Sequence, residues 1–221
     1  MKWKTVLLDL LFPPKCVFCR VLLDSSEALI CPSCQQKLPW LVGNEAHRKL
    51  SLISDCVSPM SFRENVRESI HRYKFNGKSW YAQTYGILMA QCVQDHLKGR
   101  YDLISWVPVS RQRKRERGYD QSFLLAYEMG KVLGQRPAAL LKKIKHNQPQ
   151  SGQKSESKRR SNVKGAYIAI KKETLTGKRI LLVDDIVTTG ETLLECARTL
   201  KSAGAGDIVC VTLASTSGEP L

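Results

Sequence analysis

At 221 residues with 43% hydrophobic content, the chain is long enough for one large domain, or one domain plus a small module, around a packed core. Its 35 Lys and Arg against 20 Asp and Glu give a formal net charge of +15, a long-range field that favours polyanions or phosphorylated ligands. The first apolar run, WKTVLLDLLF (3–12), falls far short of the ~20 residues of a spanning helix, is interrupted by Asp9 and runs into Pro13-Pro14 without a small-residue cleavage site, which argues against a membrane anchor or a secretory leader.

That first segment is expected to be a short amphipathic helix packed on the protein. With nothing to export or anchor the chain, the expected compartment is the reducing cytoplasm, or the inner face of the membrane through a partner. Eight cysteines there are thiols or metal ligands rather than disulfides.

Cys16-Cys19 and Cys31-Cys34 form two C-x2-C pairs eleven residues apart. Each pair wraps two thiolates around one side of a metal, and two such knuckles close the tetrahedral shell of a structural zinc. A rubredoxin-type iron centre uses similar knuckles, and a redox C-x2-C pair would need a βαβ unit beside it. Four unrelated core cysteines are a poor reading, because so short and turn-rich a segment has no core without a metal. Cys56, Cys92, Cys196 and Cys210 stand singly in apolar segments and read as small core residues. The module is placed at residues 1–45.

From about residue 50 to 221, extended and helical segments alternate. DCVSPMSF, YDLISWVPV, KRILLVDDI and GDIVCVTLAS are short and β-branched, and the last three read as buried parallel strands. Between them lie the helical stretches ENVRESIHRYKF, KSWYAQTYGILMAQCVQDHL, DQSFLLAYEMGKVLG and GETLLECARTLKSAGA, the last with Gly204 as its C-cap. The predicted fold class is therefore α/β: an open, mostly parallel twisted sheet flanked by helices, behind a small N-terminal zinc-binding module. Ligands on such sheets bind at the carboxyl ends of the strands, which directs attention to the loops after YDLISWVPV and RILLVDD.

Two basic runs follow the chain onward. RQRKRER (111–117) has five positive charges in seven positions directly after a strand. Lys142 to Lys164 has eight Lys or Arg against Glu156 alone and reads as a mobile surface insertion. Solvated surface is the plain alternative for both. Together with the zinc module and the net charge they suggest single-stranded nucleic acid, with Tyr73, Phe75, Trp80 and Tyr119 as candidates for base stacking.

ILLVDDIVTTGET (180–192) carries the sharpest chemistry. A strand ending in Asp184 and Asp185, then a Thr- and Gly-rich turn opening a helix, brings backbone N–H groups and hydroxyls to a helix N-terminus, which is an anion site. The carboxylates suit sugar hydroxyls or a divalent cation, so one turn can hold both ends of a sugar phosphate. No G-x4-G-K-[ST] and no G-x-G-x-x-G is present, which removes the main support for nucleoside triphosphate or dinucleotide readings.

LLVDDIVTTGET resembles the binding motif of type I phosphoribosyltransferases for phosphoribosyl pyrophosphate (PRPP). The resemblance implies that the turn and its Thr side chains hold the 5-phosphate and the acids hold the ribose hydroxyls, across Asp184, Asp185, Val187, Thr188, Thr189, Gly190, Glu191 and Thr192. With CVFC, CPSC, RYKFNGK (72–78), VPVSRQRKRERGYDQS (107–122) and QSGQKSESKRRSNVKGAY (150–167), the chain is similar to the ComF family of competence proteins over nearly its whole length. Asp120 stands where that family usually has Asn, replacing an amide with an acceptor-only carboxylate.

The resemblance implies structural zinc on Cys16, Cys19, Cys31 and Cys34, and Mg accompanying PRPP. It implies Asp184, Asp185 and Arg117 as catalytic, and a flexible loop shielding pyrophosphate with Lys74, Arg111, Arg113, Arg115 and Arg117. It also implies work on single-stranded DNA with a helicase-type ATPase partner during natural transformation. A metabolic phosphoribosyltransferase acting on an amine or base, and a non-catalytic PRPP-sensing adaptor, are the alternatives.

Overall fold

The structure, a computed structural model, describes residues 13–25, 28–145 and 164–216. The expected N-terminal helix and most of the second basic run, residues 146–163, lie outside them. A central sheet has the strand order β1-β2-β8-β7-β4, with β3 continuing the β2 side of β8. The strands are β1 His47–Leu50, β2 Ile53–Val57, β3 Met60–Ser61, β4 Leu103–Trp106, β7 Ile180–Val187 and β8 Ile208–Ser215. All pairs are parallel except β1 with β2. β5 Leu141–Lys143 and β6 Tyr167–Ala169 make a separate antiparallel pair.

β7 and β8 read as continuous aliphatic runs because both faces of each are buried. Leu181, Val183, Val209 and Val211 turn to one apolar cluster, whereas Ile180, Leu182, Ile208 and Cys210 turn to the other. The first cluster is closed by helices α2 Glu64–Phe75, α3 Tyr81–His96 and α5 Gln121–Leu133, the second by α6 Glu191–Ser202 and the β5-β6 pair. Gly86 lets α3 approach α5, since a Cβ there would stand 2.6 Å from that of Glu128. α6 ends at Ala203 as its cap, with Gly204 at φ +98° one residue beyond it, a shift of one from the sequence reading.

The cysteine module, with its short helix α1 Pro32–Lys37, packs into the first cluster rather than hanging free. Val17 and Phe18 are 1% exposed, and Phe18 lies against Tyr85 with ring centroids 5.9 Å apart. Ser69 and Arg72 of α2 donate to the carbonyl of Val17, and Arg72 Nη2 reaches that of Phe18 at 2.6 Å. One helix therefore grips the first knuckle. No helix among the described residues is long and apolar enough to cross a membrane.

Candidate functional site

The four cysteines converge: their Sγ atoms all lie within 4.8 Å of one another, and those of Cys19 and Cys31 are 3.5 Å apart. Tetrahedral zinc at about 2.3 Å from each sulfur separates its ligands by about 3.8 Å, so the cluster has the right dimensions. Burial works against the Cys16 thiolate, but backbone hydrogen bonds at Cys19, Cys31 and Phe18 bring its pKa down to about 7. Burial and three neighbouring sulfurs raise that of Cys34. Sulfurs that oppose one another's ionisation in this way are what a dication relieves. Cys56, Cys92, Cys196 and Cys210 are buried and apart from this centre, as expected.

The second centre lies at the carboxyl edge of the sheet, where β7 delivers Asp184 and Asp185. Asp184 Oδ1 accepts from Ser122 Oγ at 2.8 Å and from the Asp185 backbone N–H at 2.9 Å. Asp185 Oδ1 accepts from Lys74 Nζ at 2.8 Å. Burial, reinforced by the adjacent Asp185 charge, pushes the Asp184 carboxyl up to about 7. The pair thus holds one carboxylate matched by a cation and one that titrates near neutrality.

Beyond the acids the chain turns into α6. Val187 is buried and its carbonyl accepts from the Thr216 backbone N–H at 3.1 Å, which fixes the end of the strand. Thr188 is exposed, and Thr189, Glu191 and Thr192 are half-buried. Gly190 sits at φ +81° with its carbonyl accepting from Leu194 N at 2.9 Å, and a Cβ there would come within 2.6 Å of Leu50 Cδ2. A side chain at 190 would meet both backbone strain and crowding. The turn therefore presents polar groups at a helix N-terminus directly beside the acids.

RQRKRER is not a loop. Residues Arg111–Arg117 form helix α4, with Ser110 Oγ accepting from Arg113 N at 3.3 Å at its start and Gly118 at φ +80° at its end. Helical spacing divides the cations: Arg113 and Arg117 are half-buried, whereas Arg111 and Arg115 are exposed. The Arg117 guanidinium lies 4.7 Å from the centroid of Phe75; burial disfavours its charge and Asp185 supports it. Arg113 acts electrostatically on Lys143 of β5, whose pKa burial lowers and the Asp184 charge raises. Lys143, read from the sequence as the start of a mobile surface insertion, instead lies in β5, 5.1 Å over the Tyr167 ring and within electrostatic reach of Asp184.

Asp120 caps α5, accepting from Phe123 N at 3.1 Å and from Val109 N at 3.3 Å. An acceptor-only group satisfies both donors, so the carboxylate at this position ties the loop after β4 to the helix that carries Ser122. Of the four stacking candidates, Tyr73 is fully buried with its hydroxyl on Gln121 O at 2.8 Å, and Tyr119 donates to Tyr73 O. Those two belong to the core, Tyr73 because Val66, Ile70 and Tyr73 share one helix face. Phe75 and Trp80 remain exposed, at 58% and 51%.

Against known proteins, residues 120–220 match the phosphoribosyl transferase domain and residues 7–48 match the double zinc ribbon domain. The chain is 28% identical over 221 residues to Competence protein F of Haemophilus influenzae, covering 88% of this chain and 93% of that one. It is 25% identical over 196 residues to Competence protein ComFC of Bacillus subtilis, covering 86% of this chain and 78% of that one. Among solved structures it is similar to the allosteric regulatory enzyme of purine biosynthesis, at 21% identity and a TM-score of 0.43, over 64% of this chain and 28% of that one. The zinc ribbon match and the converging thiols make the cysteine centre a structural zinc site.

Proposed function

Because the chain belongs to the ComF family of competence proteins, with a type I phosphoribosyltransferase fold behind an N-terminal zinc ribbon, we propose that it binds PRPP with Mg on the 184–192 turn and acts with single-stranded DNA during natural transformation. The observation that carries this reading is the acid pair at the carboxyl edge of the sheet, ion-paired to Lys74 and set beside the N-terminus of α6. Asp184 and Asp185 supply hard oxygen acceptors for the ribose hydroxyls and fit Mg. Thr188, Thr189, Gly190 and Thr192 supply the hydroxyls and N–H groups that suit the 5-phosphate.

Lys74, Arg113, Arg117 and Lys143 come from three separate elements, which lets them neutralise a pyrophosphate from several sides. In that arrangement Arg111 and Arg115, on the outer face of α4, serve the approach of a polyanion rather than the reaction. Phosphoribosyl transfer to a small acceptor is the second reading, favoured by those same cations: the C1–oxygen bond to pyrophosphate breaks, the acceptor nitrogen bonds C1, and pyrophosphate leaves with its charge already matched.

The test is titration of labelled single-stranded DNA into zinc-loaded protein at several salt concentrations, with and without Mg-PRPP, alongside a pyrophosphate-release assay. A log-log affinity slope of about 0.7 per neutralised phosphate supports the DNA reading, and an unmeasurable affinity removes it. Pyrophosphate appearing with a defined acceptor moves the assignment to the metabolic transferase. PRPP binding without turnover and without DNA affinity leaves the sensing adaptor. The helicase-type partner rests on the family resemblance, and the cytoplasmic location on the reading of the N-terminal segment.

A further inference from the structure

A cavity of about 780 Å3 opens along α2 beside the acid pair, lined by Phe62, Phe75 and Ile186 together with the cations Arg67, Lys74 and Arg117. That volume suits one mid-sized ligand, and the mixture of apolar surface with a few charges suits a flat ring carrying an anionic group. Lys74 and Arg117 also face Asp185, so the cavity shares a wall with the candidate sugar-phosphate site. Glu64 and Glu68 line it as well, but Arg67, Arg72, Lys74 and Arg117 outnumber them.

Phe75 is the informative residue. It is 58% exposed at the last position of α2, with the Arg117 guanidinium 4.7 Å from its centroid and the His71 ring 4.8 Å away. An exposed aromatic ring with a guanidinium over one face is a stacking platform with its counter-charge in place: a base stacks on the ring away from the guanidinium, and the cation takes the phosphate that follows it.

We propose that this cavity takes one nucleotide unit of a single-stranded nucleic acid, its base stacked on Phe75 beside Arg117 and its phosphate held by Arg117 and Arg67. The proposal deepens the reading of the adjacent turn and rests on it for the place of the strand next to PRPP, while the stacking itself requires no PRPP.

The experiment compares a fluorescently labelled oligothymidylate with an abasic oligomer of equal length, titrated by anisotropy into the zinc-loaded wild type, Phe75→Ala and Phe75→Trp. Phe75→Ala is expected to weaken the base-bearing strand by about tenfold, leave the abasic strand unchanged, and be rescued by Phe75→Trp. Equal losses on both strands, or none on either, overturn the proposal. So does a free thymidine monophosphate that competes at the same concentration as the strand, since the ligand is then a small nucleotide. If wild type binds no Mg-PRPP and the base-selective loss is still seen, the stacking site stands and the reading of the 184–192 turn falls.

Discussion

Lys74 and Asp185, 111 residues apart in sequence, meet as an ion pair at 2.8 Å, and this contact joins α2 to the acid turn of β7. Two residues before Lys74, Arg72 bonds the first cysteine knuckle, so one turn of helix links the zinc module to the candidate site.

Replacing Lys74 with Met leaves Asp185 beside Asp184 without its cation. Affinity for Mg-PRPP is expected to fall about tenfold, a loss of about 1.4 kcal/mol, and the melting temperature to fall as well, because the pair is largely buried, with side chains 19% and 11% exposed. Calorimetry on the wild type and the variant checks this, and an unchanged affinity would remove Lys74 from the site.

Arg72→Gln removes charged hydrogen bonds to the carbonyls of Val17 and Phe18. Thermal stability should drop by about 1.5–3 kcal/mol. The same knuckle depends on its metal, so Cys34→Ser should abolish stoichiometric zinc and lower the melting point further. Metal analysis and thermal melts of both variants measure the two effects. Zinc content retained in Cys34→Ser would show that the four thiols do not form one centre.

Asp184 gives a pH dependence with a definite sign. Its folded-state pKa, about 7, lies above the ordinary value of 3.8, so the folded protein binds the extra proton between those limits. Its stabilising contribution is complete below pH 4 and is lost as pH rises through 7, with a slope of at most about 1.4 kcal/mol per pH unit. Denaturation series at pH 5 and pH 8 should show a steeper loss for wild type than for Asp184→Asn. PRPP binding should run the other way, strengthening as pH passes 7 and the carboxyl ionises.

Helix α4 predicts a split within the basic run. Arg113→Gln should weaken Mg-PRPP binding severalfold, because Arg113 is half-buried and acts on Lys143 near Asp184, whereas Arg115→Gln should leave it unchanged. Paired titrations decide, and equal effects would mean that the run acts only as a diffuse field.

What could be read beforehand follows burial. The β7 strand, its acids and the turn into α6 were legible because a parallel strand covered on both faces must be aliphatic along its length, which leaves the two aspartates conspicuous. The C-x2-C pairs were legible because metal geometry imposes spacing. The flexible loop at 111–117 is what the family resemblance implies, yet Ser110 before the run and Gly118 after it are the cap residues of the short helix α4. The pair β5-β6 is hidden in the sequence because three-residue strands are too short to show alternation, so Lys143 reads with the surface run from Lys142 to Lys164. Tyr73 was legible as core from its spacing with Val66 and Ile70, but its ring had drawn attention to stacking instead.

The central claim is that the 184–192 turn is a sugar-phosphate site. It is tested most directly by calorimetric titration of PRPP with Mg into the zinc-loaded protein and into the Asp184→Asn/Asp185→Asn double variant, with zinc content and melting temperature confirming that both are folded. The account predicts saturable binding to the intact chain and a loss of at least about a hundredfold in the double variant, equivalent to about 2.7 kcal/mol. Equal binding to the two proteins, or none to the intact chain, would contradict it.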